Sequence, residues 1–183
     1  MGHKRLALEA GEDPVNNPIE YILESIQTIY SIKHKNGAIR RVNVNIAATT
    51  VENYRRLKEA GIGTYILFQE TYHKANYNIY HPRGMKSKFE WRVNGFDRMG
   101  QAGVHSIGMG VLIGLEKEWR TDITMMAYHL RYLQKHYWQT KYSVNFPRMR
   151  PSENGGFQPN VIMSDCELAQ VTFAMRIFCL LYT

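Results

Sequence analysis

Short apolar stretches alternate with amphipathic helical patterns along the whole chain, and this alternation limits the folds that the chain can adopt. The predicted strands are residues 5–10, 39–47, 65–68, 106–115 and 142–146. Strands that alternate with helices of this length form parallel sheets through crossover connections. The sequence therefore predicts an α/β fold with about five parallel strands. Because five units cannot close an eight-stranded barrel, two architectures remain open: an open α/β sheet and part of a (β/α)8 barrel.

Four helix starts carry sequence signals for N-capping. Asn17 precedes Pro18, Thr49 precedes Glu52 by three residues, and Ser164 precedes Glu167 by the same spacing. These patterns predict N-caps at Asn17, Thr49 and Ser164, and Asp122 is predicted to cap a fourth helix. Further helices are predicted at 74–80 and 89–102, and the helix that starts at Ser164 is predicted to continue to about residue 181.

The apolar run 65–68 changes abruptly into five side chains that can all form hydrogen bonds. These are Gln69, Glu70, Thr71, Tyr72 and His73. Parallel α/β folds place their ligands at the carboxyl ends of the strands, which is where this cluster falls. The cluster predicts either a binding site or a solvated loop, and the pattern alone does not decide between them.

Other strand ends add polar candidates for the same site. They are Glu12, Asn43, Asn45 and Arg148. An arginine just past a strand end can bind a carboxylate with two parallel hydrogen bonds, although a surface ion pair would explain Arg148 equally well. Ser164, at a predicted helix start, favours either an anion or a plain N-cap.

Charge and cysteine content exclude several functional classes. The net charge is +7, but the basic residues are scattered and form no stripe with aromatic residues, so we expect no nucleic-acid partner. No apolar run approaches the length of about 20 residues that a membrane span needs, and no signal peptide is recognised, so we expect a cytoplasmic protein without membrane contact. The two cysteines, Cys166 and Cys179, lack metal-ligand spacing, and Cys166 is expected to be a buried, inert thiol.

A series of short motifs carries a family resemblance over nearly the whole chain. In order, the motifs are Gly11-Glu12, the segment 68–73, His81-Pro82 with Gly84, Asp97-Arg98, the glycines Gly108, Gly110 and Gly114, and Ser143 followed by Pro147-Arg148. Together they resemble the radical S-adenosylmethionine tyrosine lyases. Residues 1 to about 80 are most similar to the branch that matures [FeFe]-hydrogenase, and the remainder is most similar to the 2-iminoacetate synthases of thiamine biosynthesis.

The resemblance implies a (β/α)8 barrel that uses S-adenosylmethionine and a [4Fe-4S] cluster. It also implies that a 5′-deoxyadenosyl radical takes hydrogen from the amino group of tyrosine, after which the Cα–Cβ bond breaks. The products are p-cresol and dehydroglycine, and the dehydroglycine feeds thiazole synthesis, so the thiazole synthase machinery is an expected partner. The implied cofactor-binding residues are Glu12, which holds the methionyl amino group, and Asn43, Gln69, Glu70, Gly108 and Gly110. The implied substrate-binding residues are Tyr72 and His73 together with Arg148 and Ser164, the pair that holds the substrate carboxylate.

One departure from the family pattern is serious. The family binds its cluster through a Cys-x3-Cys-x2-Cys loop after the first barrel strand, and this sequence contains no such motif. On this alignment residues 1–183 form one partial barrel domain, without the first two β/α units and the last strand, and the chain alone is expected to be inactive. The rival hypothesis is a binding or scaffold protein without a cluster, which keeps only a pocket for an amino-acid carboxylate.

Overall fold

The computed structural model describes residues 2–153 and 156–179, except for the side chain of Cys179. In chain order, the strands are β1 (Arg5–Glu9), β2 (Lys33–His34), β3 (Gly37–Ala38), β4 (Arg41–Asn45), β5 (Tyr65–Glu70), β6 (Ser106–Val111) and β7 (Lys141–Asn145). The helices are α1 (Ile19–Ser31), α2 (Val51–Glu59), α3 (Lys74–Tyr80), α4 (Phe89–Val93), α5 (Gly95–Ala102), α6 (Trp119–His136) and α7 (Asp165–Cys179). A 3-10 turn, Met85–Ser87, lies between α3 and α4.

One parallel sheet of five strands organises the molecule. Its order is β1-β4-β5-β6-β7, and every neighbouring pair is parallel. The order follows the chain in one direction, whereas a doubly wound sheet reverses direction at a switch point. Of the two predicted architectures, the wall of a barrel therefore fits, and the expectation of about five parallel strands is confirmed.

The two faces of the sheet differ in chemistry. Val42, Val44, Tyr65, Leu67 and Met109 are fully buried and belong to the main hydrophobic core, which also contains residues of α1, α2, α5 and α6. Alternate positions, which lie on the other face, carry mostly polar residues or glycine, because side chains of a strand point to opposite sides with a period of two. We call this other face the inner face; its members are Arg41, Asn43, Asn45, Ile66, Phe68, Glu70, Gly108, Gly110, Ser143 and Asn145.

A small hairpin was not predicted from the sequence. Strands β2 and β3 pair in antiparallel fashion before β4, around a turn in which Lys35 has a φ of 52°. The region predicted as a strand at 39–47 is therefore shorter, since β4 begins only at Arg41. Two-residue strands carry too little alternation to be recognised in a sequence.

Three of the four predicted N-caps are wrong. Helix α1 follows Pro18 without a side-chain cap, and α2 is capped by Thr50, whose Oγ1 accepts from Asn53 N at 3.2 Å. Asp122 lies inside the first turn of α6, which begins at Trp119. Sequences with several adjacent polar residues leave the cap position ambiguous, because capping depends on which residue takes extended backbone dihedrals.

The fourth N-cap is confirmed. Ser164 Oγ accepts from Glu167 N at 3.2 Å, and Glu167 Oε2 accepts from Ser164 N at 3.0 Å, which is a reciprocal capping box. The predicted end of this helix near residue 181 lies outside the described residues. Within it, Cys166 is exposed, so the expectation of a buried thiol is wrong.

One predicted helix is interrupted, and one predicted strand is shorter than expected. The helix predicted at 89–102 is divided into α4 and α5 at Asn94, and the strand predicted at 106–115 ends at Val111. Gly114 has a φ of 119°, which is incompatible with a continuing strand. Over the residues described, none of the helices combines the length and the apolar character that crossing a membrane requires.

Asp122 joins α6 to the end of β5. Its Oδ1 accepts hydrogen bonds from Thr71 Oγ1 at 3.0 Å and from Tyr72 N at 2.7 Å. Burial raises the pKa of the Asp122 carboxyl from 3.8 to about 6, although the two hydrogen bonds oppose this rise. The folded protein therefore binds a proton at Asp122 more tightly than the unfolded chain does.

This raised pKa predicts a specific pH dependence of stability. A carboxyl whose pKa is raised on folding contributes stability below about pH 4, and that contribution is lost as the pH rises through about 6. We expect Asp122→Asn to remove this loss while keeping an acceptor for Thr71 and Tyr72. The free energy of unfolding of Asp122→Asn minus that of wild type should therefore increase by up to about 3 kcal/mol from pH 4 to pH 8.

Urea denaturation at several pH values measures this effect. Asp122→Ala is the matched comparison, because it also removes the charge but leaves two buried donors without an acceptor, and it should be less stable than Asp122→Asn at every pH. Parallel pH profiles for wild type and Asp122→Asn would show that Asp122 does not titrate as described.

Candidate functional site

The carboxyl ends of all five parallel strands lie at the same edge of the sheet, and three of the predicted site residues lie there too. Glu12 follows β1, Glu70 is the last residue of β5, and Arg148 follows β7. A parallel bridge between Ile113 and Arg148 continues the sheet beyond β6 and β7. The prediction that these residues share one rim is therefore consistent with the topology.

A cavity of about 460 Å³ opens at this rim between the ends of β1, β4 and β5. Its wall is mostly polar and charged. It is lined by Glu9, Ala10, Gly11, Glu12, Asn45, Ile46, Phe68, Glu70, Lys86 and Arg92. We call it the rim pocket.

Arg92 connects the residues of the rim pocket. It is only 4% exposed, and its Nε donates to the backbone oxygen of Phe68 at 2.8 Å. Its Nη1 donates to Glu12 Oε1, and its Nη2 lies 3.6 Å from Glu70 Oε1. A buried guanidinium of this kind fixes the positions of two carboxylates that are far apart in the sequence.

Sequence reasoning did not identify Arg92. The residue lies within α4, three positions after Phe89, so the pattern places it on the same helix face as an apolar residue. An arginine on such a face is the only signal, and it does not distinguish a buried ligand-binding group from a surface residue. The partners of Arg92 come from distant segments and become visible only in the fold.

Glu70 has an unusual backbone conformation. Its φ is 69°, in the left-handed region that residues with a β-carbon rarely adopt, and the pairing register of β5 with β6 shifts between Phe68 and Glu70. Besides the contact with Arg92, two hydrogen bonds hold Glu70: Leu112 N donates to its carbonyl oxygen at 2.8 Å, and Lys86 Nζ donates to its Oε1 at 2.8 Å. Such conformations are found where the surrounding structure imposes them, often at functional sites.

Packing between strands accounts for the two predicted glycine positions. A β-carbon on Gly110 would lie 2.5 Å from the Asn145 backbone oxygen and 2.9 Å from Phe68 Cδ1. A β-carbon on Gly108 would lie 3.2 Å from Ile66 Cγ1. Both glycines lie on the inner face but outside the lining of the rim pocket.

Two predicted cofactor-binding residues have polar atoms that bond elsewhere. The Oδ1 atom of Asn43 accepts from Arg41 Nε at 3.1 Å and from Thr64 N at 3.0 Å, below the rim. Gln69 is fully buried on the helix-facing side of β5, where its Nε2 donates to the Thr71 oxygen at 3.4 Å. The structure does not bring either residue into the rim pocket, which Asn45 lines instead.

Tyr72 and His73 are likewise directed toward helices. The hydroxyl of Tyr72 lies 2.8 Å from His129 Nδ1 on α6, and His73 Nδ1 accepts from Asn76 N at 3.3 Å at the start of α3. Burial raises the pKa of Tyr72 and lowers the pKa of His129 to about 4, so both are neutral at pH 7. The polar cluster at 69–73 therefore divides, and of its members only Glu70 lines the rim pocket.

Arg148 and Ser164 are close to each other but separate from the rim pocket. Arg148 Nη1 donates to Asp165 Oδ1 at 2.7 Å and to the Met163 backbone oxygen at 3.2 Å. The hydrogen bond from Arg148 lowers the pKa of the Asp165 carboxyl. Arg148 thus forms the ion pair that the sequence left as an alternative, and Ser164 forms the helix cap.

A metal site is not apparent at the rim. In the ranges 2–153 and 156–179, no three His, Cys, Asp or Glu side chains are grouped so that they could hold an ion. Two of the carboxylates of the rim pocket, Glu12 and Glu70, are bound to Arg92 and Lys86 instead.

Because Arg92 is buried, its removal should cost much more stability than the loss of a surface arginine. We expect Arg92→Met to lower the free energy of unfolding by about 3 kcal/mol, since it leaves Glu12 and Glu70 without a buried partner. Arg56→Met is the matched control, because Arg56 pairs with the exposed Glu20 at 2.9 Å, and its loss should be much smaller. Urea denaturation measures both, and equal losses would contradict the role assigned to Arg92.

Comparison with known sequences supports the family resemblance. The chain is 39% identical, over 177 residues, to the 2-iminoacetate synthases of Salmonella typhimurium and of Escherichia coli. Each alignment covers 97% of this chain but 45% of the relative, so the chain spans less than half the length of these curated relatives. No family model matches the chain.

Comparison with solved structures points to the same proteins. The crystal structure of HydG, a maturase of the [FeFe]-hydrogenase, superposes with a TM-score of 0.91 and 47% identity, covering 97% of this chain and 39% of that one. HydG from Carboxydothermus hydrogenoformans gives a TM-score of 0.86 and 37% identity, covering 100% of this chain and 41% of that one.

A more distant structure supports the fold alone. Methylornithine synthase (PylB) superposes with a TM-score of 0.62 at 18% identity, covering 97% of this chain and 49% of that one. The predicted fold class, part of a TIM-type barrel, is confirmed by these neighbours. The chain is therefore related to the radical S-adenosylmethionine tyrosine lyases, as its motifs predicted, and corresponds to less than half the length of each relative.

Proposed function

We propose that this chain forms the binding wall of a tyrosine lyase of the 2-iminoacetate synthase type. The reaction is cleavage of the Cα–Cβ bond of tyrosine to p-cresol and dehydroglycine, which supplies thiazole synthesis. One observation carries the proposal: Glu12, Glu70 and Arg92 meet at the rim of the parallel sheet. They do so in a chain that is 39% identical to 2-iminoacetate synthase.

The rim pocket has the chemistry that the head group of S-adenosylmethionine requires. An α-amino acid head group needs a carboxylate for its ammonium and a cation for its carboxylate, and the pocket offers Glu12 and Glu70 beside Arg92 and Lys86. Its volume of about 460 Å³ is in the usual range for small-molecule sites. In such a lyase S-adenosylmethionine, once bound, supplies the group that takes hydrogen from tyrosine.

The role of this chain is to bind and orient. Glu12 receives the ammonium, as the family resemblance implies. Arg92 receives the carboxylate, which would have to displace one of the contacts that the guanidinium makes with Glu12 and Glu70. Asn45 offers a further polar side chain in the same wall. Asn43, Gln69, Tyr72 and His73 contribute less to this proposal, because their polar atoms bond to residues outside the pocket.

The residues present do not fit a [4Fe-4S] cluster. The sequence contains two cysteines, whereas the cluster motif of the family needs three. Cys166 lies exposed at the start of α7 and faces no second thiol among the side chains described. A cluster would have to be held by residues outside these 183.

Arg148 and Ser164 are proposed to hold the carboxylate of tyrosine. Only Nη1 of Arg148 is engaged by Asp165 and Met163 in the hydrogen bonds described above, so other guanidinium nitrogens can face a ligand. Ser164 lies at the start of α7, where backbone N–H groups favour an anion. Its hydroxyl, however, already donates to Glu167 Oε2 at 2.9 Å, so a substrate would have to displace that bond.

A second candidate function follows from the missing cysteine motif. A binding protein without a cluster would keep the rim pocket and perform no radical chemistry. The same pocket would then bind an amino acid or its S-adenosyl derivative without turnover.

Turnover separates these two functions. Full-length protein that includes the residues holding the cluster is reconstituted anaerobically with iron and sulfide. It is then incubated with tyrosine, S-adenosylmethionine and a reductant, and p-cresol is measured by chromatography. Formation of p-cresol supports the lyase. Binding of S-adenosylmethionine without p-cresol, in protein shown spectroscopically to hold a cluster, favours the binding protein.

Glu12 provides a test that does not depend on turnover. We expect Glu12→Gln to weaken the binding of S-adenosylmethionine by about tenfold or more, because a charged acceptor for the ammonium is lost. Isothermal titration calorimetry measures the dissociation constant. Glu20→Gln, on the exposed side of α1, is the matched control and should leave it unchanged; equal effects of the two substitutions would contradict the proposed site.

A further inference from the structure

The charges that line the rim pocket are not balanced. Three carboxylates, from Glu9, Glu12 and Glu70, face two cations, from Lys86 and Arg92. The lining therefore carries one net negative charge at neutral pH. A cavity whose lining carries this charge favours a ligand that brings one net positive charge.

S-adenosylmethionine has this net charge, whereas its demethylated form does not. Its sulfonium and ammonium groups are positive and its carboxylate is negative, which leaves one net positive charge. S-adenosylhomocysteine has the same amino-acid head group and the same nucleoside but no sulfonium, so its net charge is zero. The two ligands therefore differ by one positive charge, which the negatively charged lining of the pocket attracts.

The two cations of the pocket have different structural roles. Arg92 is 5% exposed at its side chain and bonds to a backbone oxygen as well as to Glu12, so the fold depends on it. Lys86 is 29% exposed at its side chain and belongs to the 3-10 turn Met85–Ser87, with Glu70 as its ion-pair partner. Lys86 is thus the cation that can change without removing a support of the sheet.

Lys86 also acts on a residue that is under conformational strain. Glu70 occupies the left-handed region at a φ of 69°, and its Oε1 accepts a hydrogen bond from Lys86 Nζ at 2.8 Å. The ammonium therefore neutralises one carboxylate of the pocket and fixes its direction. The Glu70 side chain is only 12% exposed, so water screens this contact weakly.

We propose that Lys86 is a positioning residue that sets the net charge of the rim pocket and thereby its discrimination between the sulfonium form of the ligand and its neutral counterpart. This inference rests on the proposed function, since it assigns S-adenosylmethionine to the same pocket. It adds a determinant of specificity for the charge of the ligand. Lys86 acts through Glu70 and through its own charge.

Replacement of Lys86 separates the charge effect from the positioning effect. In Lys86→Met the pocket has two net negative charges, so the affinity for S-adenosylmethionine relative to S-adenosylhomocysteine should rise by about three- to tenfold. The absolute affinity for both ligands should fall, because Glu70 is no longer held in place. If Lys86 had a purely structural role, the substitution would lower the affinity for both ligands by the same factor and leave the ratio of the two affinities unchanged.

The experiment is isothermal titration calorimetry with both ligands on the wild type, Lys86→Met and Lys86→Arg. Lys86→Arg keeps the charge and should preserve the wild-type ratio. Lys135→Met, in the last turn of α6, removes a positive charge outside the pocket and should also preserve it. Thermal melting of each variant shows that it is folded, and 0.5 M salt should reduce the change of ratio in Lys86→Met.

Two outcomes would overturn the inference, and they are distinguishable. An unchanged ratio in folded Lys86→Met means that Lys86 does not set the discrimination, while the proposed function stands. Failure of the wild type to bind either ligand, with tyrosine cleavage also absent, contradicts the proposed function and the inference together.

Discussion

The buried guanidinium of Arg92 is the interaction on which the geometry of the rim depends. Glu12 belongs to the loop after the first strand, and Glu70 ends the third strand of the sheet. Their negative charges would repel each other if no cation lay between them. Arg92 supplies that cation and also donates to the Phe68 carbonyl, so one side chain holds the loop after β1 and the end of β5 in a fixed relation.

The parallel sheet supplies the rest of the arrangement. Every strand ends at the same edge, so residues separated by more than a hundred positions can share one rim without any local motif. The helix-facing side is buried and mostly apolar, while the inner face is mostly amides, other polar groups and glycines. The buried apolar packing is therefore concentrated on one face of the sheet, and polar side chains are concentrated at the edge and on the inner face.

Sequence patterns predicted the features that depend on period and order. The alternation of strands and helices indicated the parallel sheet, and polar residues at strand ends indicated that Glu12, Glu70 and Arg148 share a rim. The patterns failed where an outcome depends on three-dimensional partners. Asp122 resembles a cap but is a buried acceptor for β5, and Tyr72 resembles a site residue but pairs with His129 on α6. Arg92 was missed because its partners lie in distant segments.

The conformation of Glu70 has a consequence for how this protein can vary. Glycine would adopt a φ of 69° without steric cost, so a search for stability alone would favour glycine at this position. The chain carries a glutamate there and adds Lys86 and Arg92 around its carboxylate. A glycine variant would relieve the backbone strain but would lose the only acid that β5 contributes to the pocket. At this position, greater stability of the fold and retention of the pocket carboxylate therefore require different residues.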